Sequence, residues 1–128
     1  LNKDIHAARG NLMTSVTETV SVQRLETFCA SHAVVPDLIK IDVESHEPAV
    51  LRGMGHLLKE YQPTIICEIW DNSVGEAVEA LLKGCGYNFI AIGDRLAKKE
   101  HVRNHHPDKG YINYLFASDD LLRELPVS

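Results

Sequence analysis

Residues 38–48 read Leu-Ile-Lys-Ile-Asp-Val-Glu-Ser-His-Glu-Pro, and this stretch constrains the fold more than any other. Leu38 to Val43 is strand-forming, with apolar residues on both faces interrupted by Lys40 and Asp42. That pattern predicts a largely buried strand of a parallel sheet. Pro48 is acceptable only in the first turn of a helix, where its missing N–H costs nothing. A helix therefore starts close to Glu47, with Ser45 as the expected cap and Glu47 at the positive end of the helix dipole. A strand turning directly into a helix is the unit of α/β proteins, in which chemistry sits just past the carboxyl end of the strand. Asp42, Glu44, His46 and Glu47 crowd that corner.

The remaining sequence repeats the same alternation. Residues 1 to 17 show no period, and Arg9-Gly10-Asn11 reads as a turn. Thr17 to Gln23 alternates in the manner of a short strand, and Leu25, Phe28 and Cys29 give a helix to about Ser31. The helix opened by Pro48 carries Val50, Leu51, Met54, Leu57 and Leu58 on its apolar face and runs to Gln62-Pro63. Gly53 and Gly55 weaken it by roughly 1 kcal/mol each, which points to close approach or packing. Thr64 to Trp70 is a second buried strand. Ser73-Val74-Gly75-Glu76 is a capping box for a helix ending at Gly84-Cys85-Gly86. Phe89 to Ile92 is a third strand. Gly93 to Gly110 is a polar loop with a short helical part near Ala97. Ile112 to Ala117 is a fourth strand, antiparallel for want of a full crossover helix before it. Asp119-Asp120 caps a last helical turn. The expectation is one α/β domain over residues 1–128 with about four main strands, mostly parallel, joined by crossover helices.

The composition excludes several classes of function. A net charge of −5 over 128 residues and a pI near 5.8 give no field favouring nucleic acid or an anionic membrane. No run approaches the roughly 18 apolar residues of a membrane helix, and the N-terminus lacks the pattern of a signal peptide. Cys29, Cys67 and Cys85 are widely spaced, as in reduced thiols of a cytoplasmic protein. A chain opening on Leu1 rather than Met reads as processed or as a piece of something longer. Dinucleotide, P-loop, serine-hydrolase and zincin signatures are all missing.

The candidate chemistry is acidic. Asp42, Glu44 and His46 fall at i, i+2 and i+4 at the carboxyl end of one strand, and Glu68 and Trp70 hold the corresponding end of the next. Such carboxylates can accept from cofactor hydroxyls or amines, act as a general base or hold an Mg²⁺-like cation, although Mg²⁺ is not required. The competing reading makes Glu44 and Glu47 mere dipole compensation. Glu68 in an apolar strand needs a partner such as Lys40 or a role in a site. Trp70 can stack on a flat ligand or pack at the rim. His101, His105 and His106 lie in a loop broken by Pro107 and Gly110, which suits a solvated segment or a lid better than a metal site.

Val20-Ser21-Val22-Gln23-Arg24-Leu25-Glu26 and Pro36 to Glu44 resemble the FkbM family of S-adenosylmethionine-dependent methyltransferases. So do Glu47, Val50-Leu51-Arg52-Gly53, Pro63 with Ile65-Ile66-Cys67-Glu68, Gly86-Tyr87 and Asn113-Tyr114-Leu115-Phe116. The resemblance runs colinearly over residues 18 to 118. It implies the C-terminal half of a Rossmann-like class I methyltransferase sheet, and methylation of a hydroxyl on a small molecule or sugar with S-adenosylmethionine as donor. Asp42, Glu44 and Glu68 would then be catalytic, Asp42, Glu44, Ser45 and His46 would face the cofactor, and Trp70 and Asp71 would face the acceptor. Two departures stand out. Ser45 replaces the glycine that the family places after its second acid, and the half of the domain bearing the Gly-rich cofactor turn is not in this sequence. The strand Leu38–Val43 would consequently be an exposed edge, covered by the Thr17–Gln23 strand, by the missing half or by another copy, and S-adenosylmethionine would bind the chain alone poorly. A non-catalytic module assembling through that edge, and a metal hydrolase built on Asp42, Glu44, His46 and Glu68, are the alternatives.

Overall fold

The computed structural model describes residues 15–105, 108 and 110–128; the Arg9-Gly10-Asn11 turn and His106 lie outside them. A five-stranded mixed sheet carries five helices. In chain order the elements are α1 (Leu25–His32), β1 (Leu38–Ile41), α2 (Glu47–Met54), α3 (Leu57–Glu60) and β2 (Thr64–Ile69). They continue with α4 (Asn72–Leu82), β3 (Asn88–Ile92), β4 (Leu96–Lys99), β5 (Ile112–Ala117) and α5 (Asp119–Glu124). The strand order is β1-β2-β5-β3-β4. β1 and β2 pair in parallel, whereas β5 inserts antiparallel between β2 and β3. The antiparallel last strand is the expected one. Its insertion separates β2 from β3, so among the described strands β1 and β2 alone form a parallel pair.

Strand alternation divides the core. Ile65, Cys67 and Ile69 of β2 point to the face covered by α1 to α4, where Cys29, Leu51, Met54, Leu57, Val78 and Leu82 pack with Tyr114 and Phe116. Ile66 and Leu115 point to the opposite face, packed by Leu121, Leu122 and Leu125 of and beside α5. Glu68 follows Ile66 on this second, thinly covered face.

Several expectations need correction. Residues 17–23 form no strand; Val20 and Val22 stay exposed, and the segment does not pair with the outer edge of β1 that it was expected to cover. β1 is shorter than expected and is not largely buried. It has one neighbour among the described residues, and Leu38 is 60% exposed. The long helix breaks at Gly55 (φ 52°, ψ −124°). A side chain there would collide with the Glu26 carboxylate, which accepts from the His56 amide at 3.3 Å. Gly55 is thus the close approach that the sequence implied, while Gly53 has ordinary room for a Cβ.

The caps differ as well. Ser45 is not the cap of α2: it is left-handed (φ 73°), and His46 takes the N-cap position without a side-chain bond. α4 is capped by Asp71, whose carboxylate accepts from the Val74 amide at 2.9 Å, rather than by Ser73. Ser73 instead donates its hydroxyl to Asp71 at 2.8 Å. α5 is capped by Ser118, with Asp119 and Asp120 in its first turn. The helical part expected near Ala97 is β4, a hairpin strand on β3 whose outer side bonds Ser128.

Candidate active site at the ends of two parallel strands

The register Ile41↔Cys67 brings the next residues, Asp42 and Glu68, side by side at the carboxyl ends of β1 and β2. Their carboxyls interact directly. Lys40 stands on the same face, its ammonium 3.5 Å from Asp42 Oδ2. Glu68 is almost fully buried. Burial raises its pKa, with the Asp42 charge adding to the rise; the Trp70 hydrogen bond and the Lys40 charge oppose it. The indole N–H of Trp70 donates to Glu68 Oε2 at 2.9 Å.

Trp70 is 40% exposed and meets Tyr111 with ring centroids 5.5 Å apart at 51°. Asn104 fixes this pair by donating through Nδ2 to the carbonyls of Trp70 and Gly110, both at 2.7 Å. Asn113 lies opposite Glu68 on β5, and its side-chain oxygen is buried without a hydrogen-bond partner among the described residues. The strand ends thus present two adjacent acids backed by an aromatic wall. Such a wall can seat a ring, and the acids can accept from its hydroxyls or take a proton.

The turn from β1 to α2 has a different character. Glu44 and Ser45 are both left-handed, at φ 48° and 73°. The Ser45 value shows that the corner keeps the conformation a glycine would allow, at a steric cost of roughly 1–2 kcal/mol per residue. The Glu44 side chain is exposed and makes no hydrogen bond or ion pair among the described residues. His46 Nδ1–H donates to the Glu44 carbonyl at 3.2 Å. Beneath them Glu47 is completely buried. Its Oε1 accepts from the Val43 and Ser45 amides, each at 3.3 Å, and its Oε2 has no hydrogen-bond partner among the described residues. Beside the turn an open apolar groove of about 760 Å³ is lined by Val22, Phe28, Val43, His46 and Val50 among others.

The structure therefore gathers Asp42, Glu68 and Trp70 into one cluster, while Glu44, Ser45 and His46 form the adjoining turn. Asp71 is occupied as a helix cap, and its bonds from Val74 and Ser73 lower its pKa. Sequence reasoning missed Tyr111 and Asn113, whose positions depend on β5 pairing with β2. It also missed the burial of Glu47, because an acid beside Pro48 looks like surface dipole compensation.

The histidine loop is tethered. Glu79 accepts from His101 Nδ1, the Val102 amide and Arg103 Nη1, each at 3.0 Å, and its pKa falls despite partial burial. Among the described residues no group of three or more His, Cys, Asp or Glu side chains is placed to hold a metal ion. No helix there is long and apolar enough to cross a membrane.

Residues 2–89 match the family model of the methyltransferase FkbM domain, which is more than half of the chain. Comparison with curated proteins and with solved structures found no match.

Proposed function

We propose that this chain, which belongs to the FkbM methyltransferase family, forms part of an S-adenosylmethionine-dependent O-methyltransferase site whose acceptor is a hydroxyl of a small molecule or sugar. The observation that carries the reading is the Asp42–Glu68 carboxyl pair at the ends of neighbouring parallel strands. The mixed α/β sheet is compatible with a methyltransferase-like fold, and we read it as the C-terminal half of a Rossmann-like sheet.

The donor set fits the cofactor. Asp42, together with Glu44 and the polar groups of Ser45 and His46, supplies acceptors for hydroxyl or ammonium groups at a strand end. When bound, the cofactor supplies an electrophilic methyl group on a sulfonium. The chain's part is to orient the acceptor hydroxyl and receive its proton. Glu68 suits the second task, because burial and the Asp42 charge make it a stronger base than an ordinary carboxylate. Trp70 seats the acceptor ring, and Asp71 holds α4 at the rim. A Mg²⁺ ion is not needed for this assignment, although Asp42 and Glu68 present the oxygen ligands it prefers.

Calorimetric titration with S-adenosylmethionine, and transfer of a labelled methyl to hydroxylated acceptors, test the reading. Asp42→Asn is expected to weaken a binding that is already weak, and Glu68→Gln to reduce transfer with little effect on binding. Binding and transfer indifferent to both substitutions would exclude the site.

A second reading is favoured by the outer edge of β1, unpaired among the described residues, and by the exposure of Leu38. Such an edge templates pairing with another strand, so a non-catalytic module would assemble there with a second copy or with further domain sequence. Solution scattering from a concentration-independent monomer would count against assembly between copies.

A further inference from the structure

We propose that Glu47 is the positioning residue of this site, a buried latch that sets the left-handed turn between Asp42 and His46. Its importance for methyl transfer rests on the reading above; its hold on the turn does not. Two consecutive non-glycine residues in the left-handed region persist only where the surroundings over-determine them. The Glu47 carboxylate provides that constraint. One oxygen gathers the Val43 and Ser45 amides from either side of Glu44, closing a small ring that cannot form if residues 44 and 45 straighten. The reach matters: Glu47 opens α2 and its side chain folds back beneath the turn.

The second oxygen argues that the carboxylate is not retained for stability alone. Oε2 is buried and has no hydrogen-bond partner among the described residues, and the carboxylate lies close enough to add to the rise in the Cys67 pKa. A buried acid with half its capacity unused is a costly way to fill space. The cost is comprehensible if the turn must present Glu44, Ser45 and His46 in one fixed arrangement beside the Asp42–Glu68 pair.

Amide hydrogen exchange followed by NMR on the full chain tests the latch, using Glu47→Gln, Glu47→Asp and Glu47→Ala. Gln keeps an acceptor oxygen at the same reach, whereas Asp keeps the carboxyl group but is one methylene short. Leaving these partly buried amides unpaired carries a penalty that corresponds to about tenfold in local opening. Glu47→Asp and Glu47→Ala are therefore expected to speed exchange at Val43 and Ser45 by about that factor, with Ile65 and Cys67 in β2 unchanged. Glu47→Gln is expected to restore protection. If the alanine variant does not fold, the Gln–Asp contrast decides. Equal protection at Val43 and Ser45 in the Gln and Asp variants would overturn the proposal, as would their equal loss. Titration of S-adenosylmethionine in parallel separates the two claims. Absence of binding to the wild type counts against the methyltransferase reading, while the exchange pattern still decides the latch.

Discussion

The indole N–H of Trp70 donates to Glu68 Oε2 at 2.9 Å, which couples the one tryptophan of the chain to its buried strand-end acid. Trp70 fluorescence should consequently report the ionisation of Glu68. Burial, joined by the Asp42 charge, raises the Glu68 pKa, so the emission change should have its midpoint above the ordinary carboxylate range. A group whose pKa is raised on folding stabilises the fold fully below its unfolded pKa, and that contribution is lost as pH rises through the folded value. Glu68→Gln should abolish the emission transition and remove the corresponding decline in stability. An unchanged emission titration in the variant would mean that another group is being read.

Much of this site is legible in the sequence because it depends on strand ends. Thr64–Ile69 and Ile112–Ala117 are apolar runs of strand length, and parallel pairing of β1 with β2 is enough to bring Asp42 to Glu68. Elements made by tertiary partners are less visible. Leu96–Lys99 has no strand pattern and exists because β3 offers it an edge; Thr17–Gln23 has the pattern, yet it leaves the outer edge of β1 unpaired and forms no strand. Gly55 ends a helix whose apolar face continues through Leu57 and Leu58, and only the approach of Glu26 explains why. Ser45 was the expected cap because serine is a good one, but the Glu47 bonds to the backbone on both sides of Glu44 place it in the turn instead.

Gly75 tests the tethered loop. It lies buried in α4, and a Cβ there would run into the backbone carbonyl oxygen of Val102. On an exposed helix Gly→Ala stabilises by about 1 kcal/mol. Here the obstacle is backbone, in a segment fixed by three bonds to Glu79, and overpacking costs typically about 1–3 kcal/mol. Gly75→Ala should therefore lower the thermal midpoint by several degrees, on the order of 4 °C per kcal/mol for a domain of this size. Circular dichroism melting decides between the two effects, since a higher midpoint would mean that helix propensity wins.

Ser45 predicts the opposite sign. At φ 73° a serine bears a left-handed penalty of roughly 1–2 kcal/mol, against which a glycine costs roughly 0.5–1 kcal/mol in unfolded-chain entropy. Ser45→Gly should thus stabilise the chain by about 0.5–1 kcal/mol while leaving the Glu47 bond to the residue 45 amide intact. Urea denaturation of the two proteins measures the difference. A loss of stability would show that the Ser45 side chain contributes more than its backbone strain costs.

The three thiols should separate by reactivity in the native state. Cys67 is completely buried in the sheet, and burial pushes its thiol up to about 12, with the charges of Glu47 and Glu68 adding to the rise and Lys40 opposing it. Cys29 is buried on the inner side of α1, whereas Cys85 is only partly covered after α4. Because the thiolate is the nucleophile, alkylation near pH 8 should modify Cys85 first and leave Cys67 intact until the chain unfolds. Mass spectrometry of partially alkylated protein gives the order. Early modification of Cys67 would mean that the sheet opens at β1–β2 on the timescale of labelling. That would place the weakest part of the fold at the Asp42–Glu68 pair.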